Sequence, residues 1–324
     1  PELYLCVTNR TGGKTTWFSE YMLNKFLKTG SKFALIYRFN YELDGVADKF
    51  FKDIGGLWHP NSTMFSKKKA RGIFHELYID DQHCGYAMAL NNCDALKRYS
   101  HFFSDVDRMF MDEFQSETDH YCEHEIEKFI SLHTTVARGQ GMPNRYVPVY
   151  MCGNPVSILN PYYTALGISE RLRNETKFLR GIGYVLEQGV IDGAAKASRE
   201  SAFNRAFGDN KYIAYSSQCV YLNDSKTFIE SLSGPSKYLC TLRYDGIDYG
   251  LRQYSHQGFL YCDNKPDKSA LSKFVVTTDD HRPNYVMLQT NSLFLSQLRY
   301  YFANGAFRFK NAKCKEAIIK ALSY

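Results

Sequence analysis

The sequence predicts an α/β protein with two main domains, the first built on a mostly parallel sheet with helices on both faces and the second of α+β type. Apolar strand patterns alternate with amphipathic helix patterns over about the first 160 residues, whereas short strands dominate from about residue 216. The stretch between is weakly apolar and rich in Ala, Gly, Ser and Arg. Strands that are apolar on both faces and alternate with helices are typical of a parallel sheet. We therefore expect domains at 1–185 and 216–324, joined by a linker or small helical subdomain at 186–215.

The predicted elements of the first domain follow in a regular order. Apolar runs predict strands at 3–7, 33–39, 107–114 and 145–155, and apolar residues spaced three and four apart predict helices at 15–28 and 122–136. Two further apolar runs around "DDQHC" predict a hairpin within 73–90.

The second domain is predicted to contain shorter strands. The segments "QCVYL", "GFLYCD" and "KFVVTT" have strand patterns, and "RYDGIDYG" is the turn of a hairpin. The chain closes with two predicted helices, "SLFLSQLRYYFANG", which ends at a glycine, and "AKCKEAIIKAL".

The composition predicts a folded protein without a membrane span or a disulfide framework. The 324 residues are 44% hydrophobic and 23% charged, which is ample for a buried core. No apolar run reaches the roughly 18 residues of a membrane span, and no secretory signal is expected. The nine cysteines are scattered and form no C-x-x-C pair. We interpret them as reduced thiols of a cytosolic protein.

The charge of the chain is unevenly placed. Residues 225–324 hold 14 Lys and Arg against 8 Asp and Glu, so the whole excess of +6 lies in the last hundred residues. A basic second domain beside a neutral first one favours an anionic partner, most simply nucleic acid. A basic surface without a partner is the alternative that charge alone leaves open.

The stretch "VTNRTGGKTT" is a candidate phosphate-binding loop because it follows a predicted strand and opens a predicted helix. It ends in Gly13-Lys14-Thr15, although Thr8 stands where the pattern expects its first glycine. Lys14 is expected to reach the β- and γ-phosphates of ATP, and the Thr15 hydroxyl to hold Mg²⁺. The candidate nucleotide-binding residues are Arg10, Thr11, Gly12, Gly13, Lys14, Thr15 and Thr16.

The segment "MFMDEF" supplies the second half of a nucleotide site. It is an apolar strand that delivers Asp112 and Glu113. An aspartate in that place can bind Mg²⁺, and the glutamate after it can activate the attacking water as a general base. Together with the loop, this pair predicts a P-loop ATPase of the additional-strand, catalytic-glutamate type.

A third strand end and two arginines complete the candidate catalytic residues. The strand in "VYMCGNP" is expected between the Asp112 strand and the loop strand. This position would allow Asn154 to sense the γ-phosphate or the attacking water. The alternative is a plain turn, because Gly-Asn-Pro is a common turn sequence. Arg138 and Arg145 follow the predicted helix at 122–136, and either is a candidate to complete the site of a neighbouring subunit. Arg10, inside the loop, is expected to contact nucleotide or to reorient between states.

His120, Cys122 and His124 lie close together in "DHYCEHE". Ligands at alternate positions suit a strand edge, but this segment is predicted as the start of a helix. No zinc site is expected there.

With these residues in place, the chain resembles the DNA-packaging ATPases of small phi29-type tailed phages, which are compact relatives of the terminase large subunits. The resemblance runs along nearly the whole chain, and "CGNPVSILNPYY" is more specific than the ATPase motifs. The other segments that carry it are "VTNRTGGKT", "YRFNYELDGVADKFFKD", "FMDEF", "TTVARG", "TLRYDGIDYGLRQYSHQGFLYCD", "TTDD" and "FANGAFRF".

The resemblance implies an ATP-driven motor that moves double-stranded DNA into a preformed capsid. It implies a pentameric ring at the portal of the prohead, association with a prohead RNA, and a location in the host cytoplasm. It assigns Lys14, Thr15 and Asp112 to phosphate and Mg²⁺, Glu113 to the water, and Arg138 to a neighbouring subunit's site. Asn40, where the family has a lysine, departs from the pattern.

The larger terminases carry an RNase H-like nuclease as their second domain, which needs about three converging carboxylates. Here the first strand, "YLCTLRY", has no acid in its middle, and Asp245 and Asp248 lie in a turn. We therefore expect a vestigial nuclease with a basic surface. A terminase with a working nuclease, or a nucleic-acid-binding protein whose loop clamps nucleotide without motor activity, are the alternatives. Candidate phosphate contacts are Lys265, Lys268, Lys273, Arg299, Arg308, Lys310, Lys313 and Lys315. A second basic group, assigned to the linker, is expected to touch either DNA or the neighbouring subunit: Arg171, Arg173, Arg180, Lys196, Arg199 and Arg205.

Overall fold

A computed structural model describes residues 1–172, 176–207, 210, 212, 215–216, 221–222 and 228–323 of the chain. The chain divides into two compact units, a first unit of residues 1–166 with 172–223 and a second unit of 167–171 with 224–324. None of the helices in the described ranges has both the length and the apolar character needed to cross a bilayer.

The first unit is built on a nine-stranded sheet. Its strands are β1 (Leu3–Thr8), β2 (Lys32–Tyr37), β3 (Met64–Lys69), β4 (Phe74–Ile79), β5 (Gln82–Ala89), β6 (Val106–Met111), β7 (Val149–Gly153), β8 (Phe178–Arg180) and β9 (Tyr184–Gly189). Their order is β3-β4-β5-β2-β6-β7-β1-β9-β8. The six strands from β5 to β9 are parallel, and the antiparallel pairs lie at the two edges. The predicted mostly parallel sheet is confirmed, as is the place of β7 between β6 and β1.

Helices cover both faces of this sheet. The helices of this unit are α1 (Lys14–Thr29), α2 (Val46–Trp58), α3 (Cys93–Leu96), α4 (Glu125–Ala137), α5 (Pro161–Ala165), α7 (Asp192–Glu200) and α8 (Ala202–Ala206). The short helix α6 (Ile168–Arg171) belongs to the second unit. Phe110 of β6 packs in one core with residues of α1 and α2. Its neighbour Met111 faces the other way, where it accepts a hydrogen bond from Tyr162, whose ring lies 5.5 Å from that of Phe129 in α4.

The segment predicted as a linker contributes a strand to this sheet. β9 pairs in parallel with β1 along its whole length, and Tyr184 and Leu186 are buried. Sequence analysis missed this strand because Glu187 and Gln188 interrupt a short apolar run. The predicted domain limit after residue 185 therefore falls inside β9, and the predicted linker continues as α7 and α8.

The second unit holds a six-stranded sheet and, besides α6, two longer helices in the described ranges. Its elements are β10 (Lys237–Tyr244), β11 (Ile247–Tyr254), β12 (Phe259–Asp263), β13 (Lys273–Val275), β14 (Val286–Met287), α9 (Ser292–Ala303), β15 (Phe307–Phe309) and α10 (Ala312–Leu322). The strand order is β14-β13-β10-β11-β12-β15, with β10, β11 and β12 antiparallel and β13 parallel to β10. Three antiparallel strands continued by parallel ones on the side of the first strand are the arrangement of an RNase H-like sheet. The strand predicted at "QCVYL" falls mainly outside the described residues.

Candidate active site

The loop between β1 and α1 has the geometry of a phosphate-binding loop. Thr8 takes the last position of β1, paired with Gly189 of β9, so extended strand occupies the position where the pattern expects its first glycine. The left-handed turn comes later, at Gly13, whose φ is +74°, immediately before α1. Apart from Gly13 and its neighbours in the chain, no atom of the described residues lies within 4 Å of the place where a Gly13 Cβ would stand. The start of α1 is therefore open to an anion, and Thr8 does not disturb it.

The other predicted loop residues surround this opening. Thr11 is exposed, with a φ of 60°. Thr15 is exposed and Thr16 half-buried, both in the first turn of α1. Gly12 lies against Ile191, so close that a Cβ on Gly12 would be 2.6 Å from its Cδ1.

Lys14 connects the loop to the end of β7. Its Nζ donates to the carbonyl oxygens of Asn9 at 2.9 Å and Thr8 at 3.3 Å, and to Oδ1 of Asn154 at 3.0 Å. The last contact joins two residues that are 140 positions apart in the sequence. The carboxyl ends of β1 and β7 therefore meet where the parallel sheet was predicted to bring them together.

Asp112 and Glu113 follow β6 directly, on the other side of β7. Asp112 Oδ1 accepts a hydrogen bond from the Glu113 backbone N–H at 2.9 Å and from Cys152 Sγ at 2.8 Å. Burial, followed by the charge of Asp112, raises the pKa of the Cys152 thiol, which keeps it a donor. One carboxylate oxygen is thus held by the chain, and Asp112 is fixed beside β7.

Glu113 has a left-handed backbone conformation and a carboxyl group with a raised pKa. Its φ is 53°, in the left-handed region that costs free energy for a residue with a Cβ. Desolvation raises the pKa of its carboxyl group first, and the negative charges of Asp112 and Glu117 raise it further, against the opposing charge of Arg10. A raised pKa makes the ionised carboxylate a stronger proton acceptor.

A cavity of about 440 Å³ adjoins part of this site, whereas Lys14, Thr15 and Asp112 are not among its lining residues. Glu113 and Asn154 both line it, beside Arg10. The remaining lining residues are Arg38, Phe39, Tyr41, Glu42, Gln115, Ser116, Glu117, Thr118 and His120. The cavity is thus polar and lies at the carboxyl ends of the parallel strands, where ligands bind in open α/β sheets.

Arg10 is held at the edge of this cavity by an acid and two aromatic rings. Its guanidinium is ion-paired with Glu117 and lies 5.5 Å and 5.8 Å from the ring centroids of Tyr212 and Tyr215. Desolvation alone would lower its pKa, but the hydrogen bonds to Glu117 and Tyr215 outweigh it and raise the pKa. In this arrangement Arg10 contacts protein groups, and the sequence did not reveal Glu117 as its partner.

Sequence analysis also missed a buried ion pair beneath the Asp112–Glu113 loop. Arg38 Nε lies 2.9 Å from Oε2 of Glu125, and its Nη2 donates to the Phe114 carbonyl oxygen at 2.9 Å. Glu125 also accepts from the Tyr162 hydroxyl at 2.8 Å. An unpaired charge at this depth would be costly, so each partner requires the other. Asn40, the departure noted in the sequence, accepts a hydrogen bond from Asn92.

Arg138 and Arg145, the two candidates for the arginine that acts on a neighbouring subunit, have different surroundings in the structure. Arg138 follows α4, is exposed, and forms no ion pair or hydrogen bond within the described part of the chain. Arg145 instead donates to the carbonyl oxygens of Val106 at 2.9 Å and Val136 at 2.8 Å. Its guanidinium therefore ties the end of α4 to the start of β6, whereas that of Arg138 is available.

Two arginines lie beside three of the acids of the second unit. Arg243 pairs with Asp248 at 2.8 Å and lies 3.7 Å from Asp280, and Arg252 pairs with Asp263 at 2.8 Å. Among the described residues, no group of three or more His, Cys, Asp or Glu side chains is arranged to hold a metal ion.

Two of the predicted phosphate contacts have other surroundings. Lys315 is buried, with its Nζ 6.0 Å from the Phe309 ring centroid. Arg308 lies 3.8 Å over the Phe259 ring and pairs with Glu230 at 2.7 Å. Both take part in the packing of the second unit, and their contact with phosphate stays a prediction. Arg173 lies outside the described residues.

Comparison with known proteins shows which family this chain belongs to. A family model described as the podovirus DNA encapsidation protein (Gp16) matches residues 3–322. The DNA packaging protein of Bacillus phage phi29 is 26% identical over 308 residues, which are 92% of this chain and 86% of that protein. The DNA packaging protein of Bacillus phage B103 is 26% identical over 304 residues, covering 92% and 89%.

Solved structures give the same likeness over the whole chain. A chain of the bacteriophage Phi-29 viral genome packaging motor assembly superposes with a TM-score of 0.68 at 25% identity, covering 99% of this chain and 95% of that one. A chain of the Phi-28 gp11 DNA packaging motor has a TM-score of 0.64 at 15% identity, covering 100% and 95%, which supports the fold alone.

Proposed function

The chain belongs to the podovirus DNA encapsidation protein family, and from this premise we propose that it hydrolyses ATP to move double-stranded viral DNA into a preformed capsid. The observation that carries the proposal is the meeting of three strand ends. Lys14 after β1, Asp112 and Glu113 after β6, and Asn154 after β7 lie at one edge of adjacent parallel strands. This is the constellation that positions a nucleoside triphosphate and a water for phosphoryl transfer.

In this proposal the loop binds the phosphates and Glu113 acts as the base. The backbone N–H groups from Thr11 to Thr16 and the Lys14 ammonium balance phosphate charge. Asn154 holds Lys14 and is placed to respond to the γ-phosphate. The raised pKa of Glu113 suits a group that must take a proton from water.

Mg²⁺ fits the same site. Thr15 is exposed at the start of α1, its hydroxyl has no hydrogen-bond partner among the described residues, and Asp112 offers carboxylate oxygen at the end of β6. Hydroxyl and carboxylate oxygens are the ligands that Mg²⁺ prefers in triphosphate sites. When bound, the ion neutralises charge on the phosphate oxygens.

The acidity of Glu113 predicts a pH dependence of ATP turnover. The carboxyl group must be ionised to accept a proton, and its folded-state pKa is raised. We therefore expect kcat/KM for ATP to fall as pH is lowered, from a higher pH than an ordinary glutamate with a pKa of about 4.3 would give. Steady-state hydrolysis measured over a series of pH values tests this loss of activity at low pH, and circular dichroism at each pH checks that the chain stays folded. A rate that stays level to about pH 4.3 would contradict the assignment of Glu113.

Arg138 is proposed to act on a neighbouring subunit. The adjacent Gly139 approaches Ser104, close to the start of β6, since a Cβ added to Gly139 would lie 2.8 Å from the Ser104 Cβ. Asp112 and Glu113 follow the other end of β6, roughly 20 Å away along six strand residues. Arg138 is thus remote from the cavity of its own subunit, which supports a role at the site of a neighbouring subunit.

The proposed assembly is a homo-oligomeric ring, a pentamer, at the portal of a prohead in the host cytoplasm, with prohead RNA as a further partner. A chain that is monomeric in isolation is consistent with assembly on the prohead. The structural relative is part of a viral genome packaging motor assembly. The excess positive charge of residues 225–324 suits a nucleic acid.

We further propose that the second unit does not cut DNA. One oxygen of Asp248 and one of Asp263 are paired with an arginine 2.8 Å away. Their other oxygens accept from the Tyr285 hydroxyl and the Lys265 backbone N–H, so the oxygens that metal ions would need are occupied. The full-length chain with Mn²⁺ should leave supercoiled plasmid intact on agarose gels over the time in which it hydrolyses ATP. Nicking that is lost in Asp263→Asn would contradict this and favour a terminase with a working nuclease.

A further inference from the structure

Gln115 is a buried amide whose orientation is fixed by the backbone. Only 3% of its surface is exposed, and Oε1 accepts hydrogen bonds from the N–H groups of Val156 at 3.1 Å and Ser157 at 3.0 Å. Turning the amide over would place its NH₂ group against two donors, so Oε1 must face Val156 and Ser157. Nε2 therefore lies on the other arm of the amide.

This Nε2 has no hydrogen-bond partner in the described part of the chain. Gln115 lines the cavity beside Glu113 and Asn154. A buried donor without an acceptor costs free energy and is rare in folded proteins. An acceptor that enters the cavity with the substrate would satisfy it.

We propose that Gln115 Nε2 donates a hydrogen bond to an oxygen of the γ-phosphate of bound ATP. This inference rests on the proposed ATPase function and adds a catalytic residue to it. Glu113 precedes Gln115 by two residues, and Asn154 precedes the backbone donors that hold Oε1. Gln115 therefore braces the loop of the base against the loop of Asn154, between the two groups that face the reacting phosphate.

A hydrogen-bond donor in this place stabilises the transition state more than it stabilises the bound substrate. Charge on the γ-phosphoryl oxygens is redistributed in the transition state, and a fixed donor needs no reorganisation to meet it. By comparison with an oxyanion donor, removal of one such group lowers kcat by about 10²–10³-fold.

Gln115→Glu is the sharpest test because it keeps Oε1 and exchanges the NH₂ donor for an acceptor oxygen. We expect kcat for ATP to fall about 100-fold. Affinity for AMP-PNP should fall by at least tenfold, whereas affinity for ADP, which lacks the γ-phosphate, stays within twofold of wild type. Gln82→Glu is the matched control, since Gln82 is exposed at the start of β5. It should change neither kcat nor either affinity.

A purely bracing role predicts a different result. If Gln115→Glu folds with a wild-type melting curve and keeps both kcat and the ratio of AMP-PNP to ADP affinity, the proposed contact does not exist. A wild-type chain that binds no nucleotide would instead overturn the ATPase proposal together with this inference.

A structure of the wild-type chain with ADP and beryllium fluoride decides the matter without any substitution. Nε2 should lie about 3 Å from a fluorine that mimics a γ-phosphate oxygen. Nε2 bonded elsewhere, with no fluorine in reach, would overturn the inference even if Gln115→Glu fails to fold.

Discussion

Arg138→Ala should lower ATP turnover by assembled rings by about 10³–10⁵-fold, the range measured for arginines that complete a phosphoryl-transfer site. The side chain is exposed and unpaired among the described residues, so its removal should leave the melting temperature of the chain unchanged. Nucleotide affinity of the isolated chain should also be unaffected, because its own cavity lies at the far end of β6. Steady-state hydrolysis on proheads, beside nucleotide titration of the free chain, measures both quantities.

Mixing subunits distinguishes action in trans from damage in cis. Arg138→Ala chains keep an intact cavity, and Glu113→Gln chains keep an intact arginine. Rings assembled from both should regain turnover, since the Glu113→Gln chain presents its arginine to the Arg138→Ala site. Mixed rings as inactive as either variant alone would contradict the trans assignment and leave the ATPase proposal standing.

Two arginine controls strengthen this experiment. Arg145→Ala should instead lower the melting temperature, because the carbonyl groups of Val106 and Val136 lose their donors. Arg138→Lys keeps the charge without the planar fork of donors, so it should recover only part of the rate.

Glu113→Gln should lower the hydrolysis rate by about 10²–10⁴-fold, the usual contribution of a general base. Lys14 and the loop stay intact, so ATP should bind at least as tightly as in wild type, and removal of a negative charge beside those of Asp112, Glu117 and Glu42 favours the triphosphate further. Single-turnover hydrolysis and binding of AMP-PNP measure the two effects separately.

Glu123→Gln is the matched control for this variant. Its side chain is 87% exposed and lies outside the cavity lining, so the same loss of charge should leave hydrolysis unchanged. Retention of full activity in Glu113→Gln would show that another group, or none, accepts the proton.

The strand ends that form the site could be predicted from the sequence because a parallel sheet leaves few alternatives. Once "LYLCV", "MFMDEF" and "VYMCG" are recognised as parallel strands, the loop, Asp112 and Asn154 must share one edge. The Lys14–Asn154 hydrogen bond bears this out. The same geometry accounts for Thr8, since a residue in extended conformation needs no glycine.

The groups that support the site could not be predicted, because each depends on a contact between distant segments. Arg38 and Glu125 are 87 residues apart, and Arg10 and Glu117 are 107 apart. Neither pair has a local pattern that distinguishes it from solvated surface charge. Gln115 was overlooked for a similar reason, since its role depends on the backbone of Val156 and Ser157.

The strand β9 shows how local composition can conceal a central element. Its buried positions alternate with Val185 and Glu187, and the helix-rich stretch after it favoured a linker. Pairing with β1 along six residues supplies the stability that the short apolar run lacks.

DNA uptake into proheads of the virus that encodes this chain tests the central claim most directly. Purified proheads, genomic DNA, wild-type chain and ATP should yield DNA protected from DNase over minutes. The same mixture with Glu113→Gln chain, or with AMP-PNP in place of ATP, should yield none. Equal protection by wild-type and Glu113→Gln chains would contradict the account, because the DNA would then move without the hydrolysis proposed for this site.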